Sequence, residues 1–245
     1  MVVMPDTHFP DHDQRTVSAL LQFMGDYQPD VFLQIGDFWE MNPVSHWDSQ
    51  RNSVEKLIKD IKGGRELFQQ LLDAGGNVSS SFFTMGNHEY WLDQFLDHKI
   101  PDVVKEMSSL GVDLTTANLL GLEDQGVSVI PYNEILKIGH AHFTHGFYTG
   151  KYHASKHVAV IGGNIYYGHL ESVQTHTETS IRGLKEGSSL GTMREFAKAS
   201  FLRKKPVNWS HGFGIFEFRH DGSYTRYIPI IIEGEFSYNG VLYEG

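Results

Sequence analysis

Five short polar clusters, each directly behind an apolar run, constrain this chain more than any other feature. They are Asp6-Thr7-His8, Gly36-Asp37, Gly86-Asn87-His88-Glu89, Thr144-His145-Gly146 and Gly168-His169. The runs in front of them read as strands, and open α/β sheets gather their ligands at strand ends. Hard carboxylate and amide oxygens together with imidazole nitrogens suit divalent ions. The pattern therefore points to an α/β chain with a candidate site for two such ions.

Composition narrows the class. No Pro/Gly/Ser-rich linker or shift in composition divides the 245 residues, so residues 1–245 read as one domain. The apolar runs, such as Tyr227 to Ile232, fall far short of the ~20 residues a membrane span needs, which predicts a soluble, cytoplasmic protein without a membrane partner. With no cysteine, thiolate zinc sites and cysteine nucleophiles are excluded. A formal net charge of -10 opposes nonspecific attraction to nucleic acid. The segment from Ser180 to Ser210 departs from that average. It carries Arg182, Lys185, Arg194, Lys198, Arg203, Lys204 and Lys205 against Glu186 and Glu195, and reads first as a solvated face and second as a surface that steers phosphate.

Val17, Leu20, Leu21 and Met24 recur at helical spacing, so residues 14 to 25 form an amphipathic helix between the first strand and Val31 to Ile35. A second helix runs from Val54 to the Gly75-Gly76 stop, ahead of the strand Ser81 to Met85. Short strands follow at Val127 to Ile130, Glu134 to Ile138 and Ala141 to Thr144, then a helix from Tyr152 to Ile161 and a strand from Asn164 to Tyr167. After a basic, partly helical stretch come hairpins turning at Asp221-Gly222 and Asn239-Gly240. Helices early and hairpins late predict two packed mixed β-sheets with helices on their outer faces, the C-terminal hairpins completing the second sheet.

Singly, each cluster is weak. Asp6 and His8 stand two apart, which lets a strand end aim both side chains at one ion. Asp37 has two oxygens able to bridge two ions, Asn87 offers a neutral carbonyl oxygen, and His88 can reach a leaving-group oxygen without binding metal. His145 and His169 add imidazole.

In this order and spacing the five clusters resemble the calcineurin-like metallophosphoesterase superfamily. The match covers roughly residues 1 to 175, and the Pro5 to Pro10 stretch looks like phage and bacterial members. The resemblance implies a four-layer α/β/β/α sandwich, the calcineurin-like phosphoesterase fold. It also implies a two-metal hydrolase of phosphodiesters or phosphomonoesters that uses a metal-activated hydroxide. Asp6 and His8 would hold the first ion, Asp37 would bridge, and Asn87, His145 and His169 would hold the second. His88 would assist the leaving group while Glu89 orients the loop. Manganese is the expected metal, with Mg, Fe, Zn or Ni as alternatives, and a nucleotide or nucleic acid is an expected source of the phosphate ester.

One position departs from that pattern. Where the family reads Gly-His-x-His, this chain has Gly168-His169-Leu170-Glu171. Glu171 is the favoured replacement ligand because it shares the strand face of His169. His176 is the alternative, although its parity requires a bulge, and otherwise the first site is weakened. A carboxylate there neutralises a centre that a histidine would leave positive, which predicts a preference for harder ions and weaker acidification of bound water. Two rival readings follow: a noncatalytic phosphate-binding module, and a structural or virion-associated protein with a vestigial site.

The remaining histidines and aromatics read mainly as structural. His140 and His142 suit a solvated strand face, and His153 and His157, one helical turn apart, lack the glutamate of a metalloprotease helix and read as surface histidines or as supports behind the metal ligands. Trp39, His46, Trp47, Tyr90 and Trp91 lie in loops after the clusters, where core packing is favoured over base stacking, and His211 is a weaker candidate for the cleft.

Overall fold

The computed structural model describes residues 1–45, 54–76, 78–181, 183–199, 202–203 and 205–245. His46, Trp47, Arg182 and Lys204 lie outside the described residues.

The first half alternates strand and helix: β1 (Val2–Met4), α1 (Gln14–Tyr27), β2 (Val31–Gln34), α2 (Val54–Ala74) and β3 (Ser80–Thr84). Three helices follow, α3 (Asn87–Lys99), α4 (Pro101–Ser109) and α5 (Thr116–Leu119), before β4 (Val127–Ile130). Next come β5 (Leu136–Ile138), β6 (Ala141–Thr144), α6 (His153–Ile161), β7 (Asn164–Tyr167), β8 (Val173–Ser180) and β9 (Gly183–Leu190). The chain closes with β10 (His211–Gly212), β11 (Gly214–Phe218), β12 (Tyr224–Tyr227), β13 (Ile230–Ile231), β14 (Glu235–Tyr238) and β15 (Val241–Glu244). Among the described residues no helix is long and apolar enough to cross a membrane.

Two mixed sheets form the centre, ordered β12-β11-β1-β2-β3-β4 and β5-β6-β7-β9-β8. Strand alternation sends β1 and β2 side chains to both faces, and both faces are buried. Val2, Met4 and Phe32 turn to a core shared with Leu20 and Phe23 of α1 and Phe68 and Leu71 of α2. Val3, Leu33 and Ile35 turn the other way and meet Phe143, Tyr166 and Leu190 of the second sheet. Helix α6 covers the far side of that sheet. The four expected layers are therefore present.

Several local expectations change. The C-terminal hairpins do not complete the second sheet: β11 pairs antiparallel with β1, so β11 and β12 extend the first. Gly214 to Phe218 has apolar side chains for two faces, Ile215 toward the helices and Phe216 toward the second sheet, which suits a strand buried on both. The β14–β15 hairpin has one apolar face and lies on α1, with Phe236, Tyr238 and Tyr243 ringed around Phe23 at centroid distances of 5.7, 5.4 and 5.3 Å. The stretch expected to be basic and partly helical begins instead with the β8–β9 hairpin, whose Thr175, Thr177 and Thr179 are exposed, and it includes a 3₁₀ turn at Phe196–Lys198. Helix α1 runs past Gly25 to a left-handed stop at Gln28, and its first turn is capped by Asp13, which accepts from the Thr16 amide at 2.8 Å.

Phe23 is fully buried and joins α1 to Phe213 and the β14–β15 hairpin. Phe23→Ala is expected to cost about 3–5 kcal/mol, read from urea denaturation; a loss under ~1 kcal/mol would show that the hairpin closes over the gap.

Candidate metal centre

Every cluster sits just beyond a strand of the central sheets. Asp6 and His8 follow β1, Asp37 follows β2, and Asn87 and His88 open α3 immediately after β3. His145 follows β6, while His169 and Glu171 follow β7. Strand alternation does not aim these side chains. His8, Asp37, His169 and Glu171 instead take left-handed backbone, with φ of 55°, 52°, 68° and 57°. Non-glycine residues rarely adopt it, and such strain gathers at functional sites. Glu171 is therefore brought in by turns rather than by sharing a strand face with His169.

Two glycines make room for the carboxylates. A Cβ on Gly86 would stand 2.1 Å from Asp37 Oδ1, and one on Gly168 would stand 2.1 Å from Asp6 Oδ1. Asp37 Oδ1 accepts the His88 amide at 2.9 Å, and the Asp6 carboxylate accepts the His169 amide at 2.9 and 2.8 Å.

The first group of converging atoms is Asp37, Asn87 and His145. His145 Nε2 lies 3.2 Å from Asp37 Oδ2 and 3.1 Å from Asn87 Oδ1. Its other nitrogen, Nδ1, donates to the Ile35 carbonyl at 3.0 Å. With Nδ1 donating, Nε2 would turn a lone pair toward an ion shared with those two oxygens, and without an ion it carries a proton between them. His169 shares this group, its ring 5.0 Å from that of His145. Ligands about 2.1 Å from a common ion and at right angles stand about 3 Å apart, which is the spacing found. The donor set fits a divalent cation.

The second group is Asp6, His8 and Glu171, whose ligand atoms lie within 4.8 Å of one another. His8 Nε2 is 2.8 Å from Glu171 Oε1, again the separation of neighbouring ligands. His176 is elsewhere, on β8 at 3.4 Å from Glu178, so Glu171 and not His176 stands in this pocket.

His88 lies between the two groups. Its Nδ1 donates to the Glu40 carbonyl at 2.6 Å, and its Nε2 is 3.8 Å from Asp37 Oδ2. One face packs on Trp91 at 4.0 Å, and its ring meets that of His8 edge-on at 4.7 Å. The fully buried Glu89 ties the loops together by accepting from the Asp37, Gly86 and Trp39 amides at 2.9, 2.9 and 3.1 Å. Burial and the neighbouring Asp37 push its carboxyl up to about 7.

Two site residues escaped the sequence analysis. Glu40 Oε2 lies 2.7 Å from His8 Nδ1, and Arg194 Nη2 donates to Glu40 Oε1 at 2.8 Å. Arg194 Nη1 is also 4.0 Å from Glu171. Burial pushes the Glu40 carboxyl up, but His8, His88 and Arg194 outweigh it and hold the group down to about 2. This chain of contacts fixes the orientation of His8 as carboxylate partners of ligating histidines do. Arg194 comes from the basic segment read as surface, and is buried because residues 192–194 run beside the first loop, the Met193 amide donating to Asp6 O at 2.7 Å. Trp39 is core, as the packing reading expected, and His153 and His157 are buried, which removes the surface alternative for them.

Fold and site together define a class: a four-layer α/β/β/α protein whose strand ends carry paired acid–imidazole pockets suited to divalent ions. No protein-family model matches the chain. It is similar along its whole length to the Gene 54 protein of Mycobacterium phage L5, with 26% identity over 100% of this chain and 98% of that protein. The Gene 54 protein of Mycobacterium phage D29 is likewise 26% identical, over 100% and 98%. Among solved structures, Vps29 of Chaetomium thermophilum aligns with a TM-score of 0.49 and 10% identity, covering 100% of this chain and 90% of that one.

Protonation makes the fit testable. Burial holds the Asp6 carboxyl up to about 8. Burial opposes a proton on His145, but Asp37 and Asp6 outweigh it and raise that imidazole to about 9. Both folded values exceed their ordinary ones, so the stability these protons confer on the ion-free protein is lost as pH rises through about 8 and 9. A cation must displace both protons. The gain in Tm on adding Mn²⁺ is therefore expected to grow from below pH 6.5 to above pH 9, with proton release on binding measured by calorimetry in buffers of different ionisation enthalpy. A gain independent of pH would count against an ion at these residues.

Proposed function

We propose that the chain is a metal-dependent phosphoric ester hydrolase of the calcineurin-like metallophosphoesterase kind, with two divalent ions at the strand ends. The observation that carries this reading is the convergence of Asp37, Asn87 and His145 at contact distance, with His145 Nδ1 tied to the Ile35 carbonyl so that Nε2, once it gives up its proton, would offer an ion a third lone pair. Asp37, Asn87, His145 and His169 would hold one ion and Asp6, His8 and Glu171 the other, with Asp37 as the bridge. When bound, the ions would supply an activated water and neutralise charge that develops at phosphorus.

The chain's own groups would do the rest. His88, fixed through Nδ1–H on the Glu40 carbonyl, would give a proton from Nε2 to the leaving ester oxygen as the P–O bond breaks when the ring is doubly protonated, and burial, which lowers its pKa, favours that form only toward acidic pH. Tyr90 and Tyr132 stack at 4.8 Å beside that loop and, with Trp91, suit a nucleotide-containing diester. Manganese is favoured over zinc because Glu171 adds a hard oxygen.

Mn²⁺-dependent release of p-nitrophenol from bis-p-nitrophenyl phosphate tests the reading. His88→Ala is expected to lower kcat roughly 10²–10⁴-fold while both ions stay bound; unchanged kcat would remove His88 from the mechanism. One bound ion and no turnover in the unaltered protein would instead support a noncatalytic phosphate-binding module.

Glu171→His removes one negative charge from the centre. The variant is expected to show a lower pH optimum and a greater tolerance of Zn²⁺ than the parent chain, read from pH profiles with each metal. Superimposable profiles would place Glu171 off the ion.

A further inference from the structure

Helix α6 packs behind the second sheet and presents two buried histidines, His153 and His157, to the turns that carry His145, His169 and Glu171. His157 Nδ1 donates to the His153 carbonyl at 2.8 Å, which leaves Nε2 as an acceptor. That nitrogen accepts the Phe147 amide at 3.0 Å and the Tyr148 amide at 3.4 Å, both in the loop directly after His145-Gly146. The same ring stacks on Tyr167 with centroids 3.8 Å apart and planes at 18°, and Tyr167 is the last residue of β7 before Gly168-His169. One turn earlier, His153 shares a 2.8 Å hydrogen bond with the Tyr167 hydroxyl, and its other nitrogen lies 3.4 Å from Ser172 Oγ, next to Glu171.

We propose that His157, supported by His153, is a positioning residue that sets the spacing of the His145 and His169 ligand loops and thereby the affinity of the ion between them. Only a neutral imidazole with Nδ1–H does what the geometry shows: it closes its own helical turn, takes two loop amides on the opposite nitrogen and offers a flat face to Tyr167. Phenylalanine can keep the stack but leaves the two amides without their acceptor. Glutamine keeps an acceptor and gives up the stack.

This inference rests on the two-ion reading of the centre, and calorimetric titration of Mn²⁺ into ion-free protein separates the two. Wild type is expected to bind two ions. His157→Phe is expected to weaken by about 10–100-fold the same ion that His145→Ala removes, sparing the other, and His157→Gln is expected to recover most of that loss. The Tm deficit of His157→Phe should be larger in saturating Mn²⁺ than without it, because the variant forfeits ion-linked stabilisation. Wild-type affinity at both sites in His157→Phe would overturn the proposal. So would a deficit equal with and without Mn²⁺, or a glutamine variant no better than the phenylalanine one. No Mn²⁺ bound by wild type would overturn the reading of the centre itself. Should His157→Phe not fold, hydrogen exchange at the Phe147 amide of wild type decides: Mn²⁺ is expected to slow it, and an unchanged rate would overturn the proposal.

Discussion

Concentrated negative charge at the strand ends is the constraint that organises this molecule. Asp6, Asp37, Glu40, Glu89 and Glu171 are all buried within one small region. Carboxylates out of water are costly unless paired or coordinated. Part of the compensation is built in: Arg194 faces Glu40, loop amides face Glu89, and glycines at 86 and 168 let backbone approach Asp37 and Asp6. The remainder, the oxygens beside His145 Nε2 and His8 Nε2, is met by protons on those rings in the ion-free protein and, in the two-ion reading, would be met by the cations that displace them. The two-sided core of the first sheet clamps β1 and β2 on both faces and so anchors the loops that carry Asp6, His8 and Asp37.

The parts of the molecule that obey a simple period were readable in the sequence. Val17 to Met24 announces α1, the Gly75-Gly76 stop ends α2, and Asp221-Gly222 and Asn239-Gly240 turn hairpins as their backbone preferences dictate. Of the second sheet, β5, β6 and β7 were placed within a residue or two. The β8–β9 hairpin was missed because its exposed threonines and single apolar residues carry no alternation toward a core. Assignment of the last hairpins to a sheet failed for another reason. Local sequence says that two strands pair, but not which edge accepts them, and β1 offered its free edge to β11.

Within the centre, the clustered motifs exposed Asp6, His8, Asp37, Asn87, His145, His169 and Glu171 as candidates, and the fold brings them together. Glu40 and Arg194 gave no such sign. Glu40 ends a loop that reads as ordinary polar chain, and Arg194 belongs to a run of charges whose average suggests a wetted face. A single buried charge inside a basic segment is decided by which strand the segment lies beside, and here that neighbour is the loop after β1. The reasoning by strand parity for Glu171 also gave way, because the chain leaves β7 at Tyr167 and turns before Glu171 arrives.

The left-handed backbone at His8, Asp37, His169 and Glu171 has an evolutionary consequence. Asparagine, aspartate and glycine tolerate that conformation, whereas β-branched residues do not. Drift at these positions is therefore channelled toward small amides and glycine, changes that discard a charge while leaving the turn intact. Asparagine or glycine at Asp37 or Glu171 would thus take one carboxylate out of the pocket and still fit the turn that presents it.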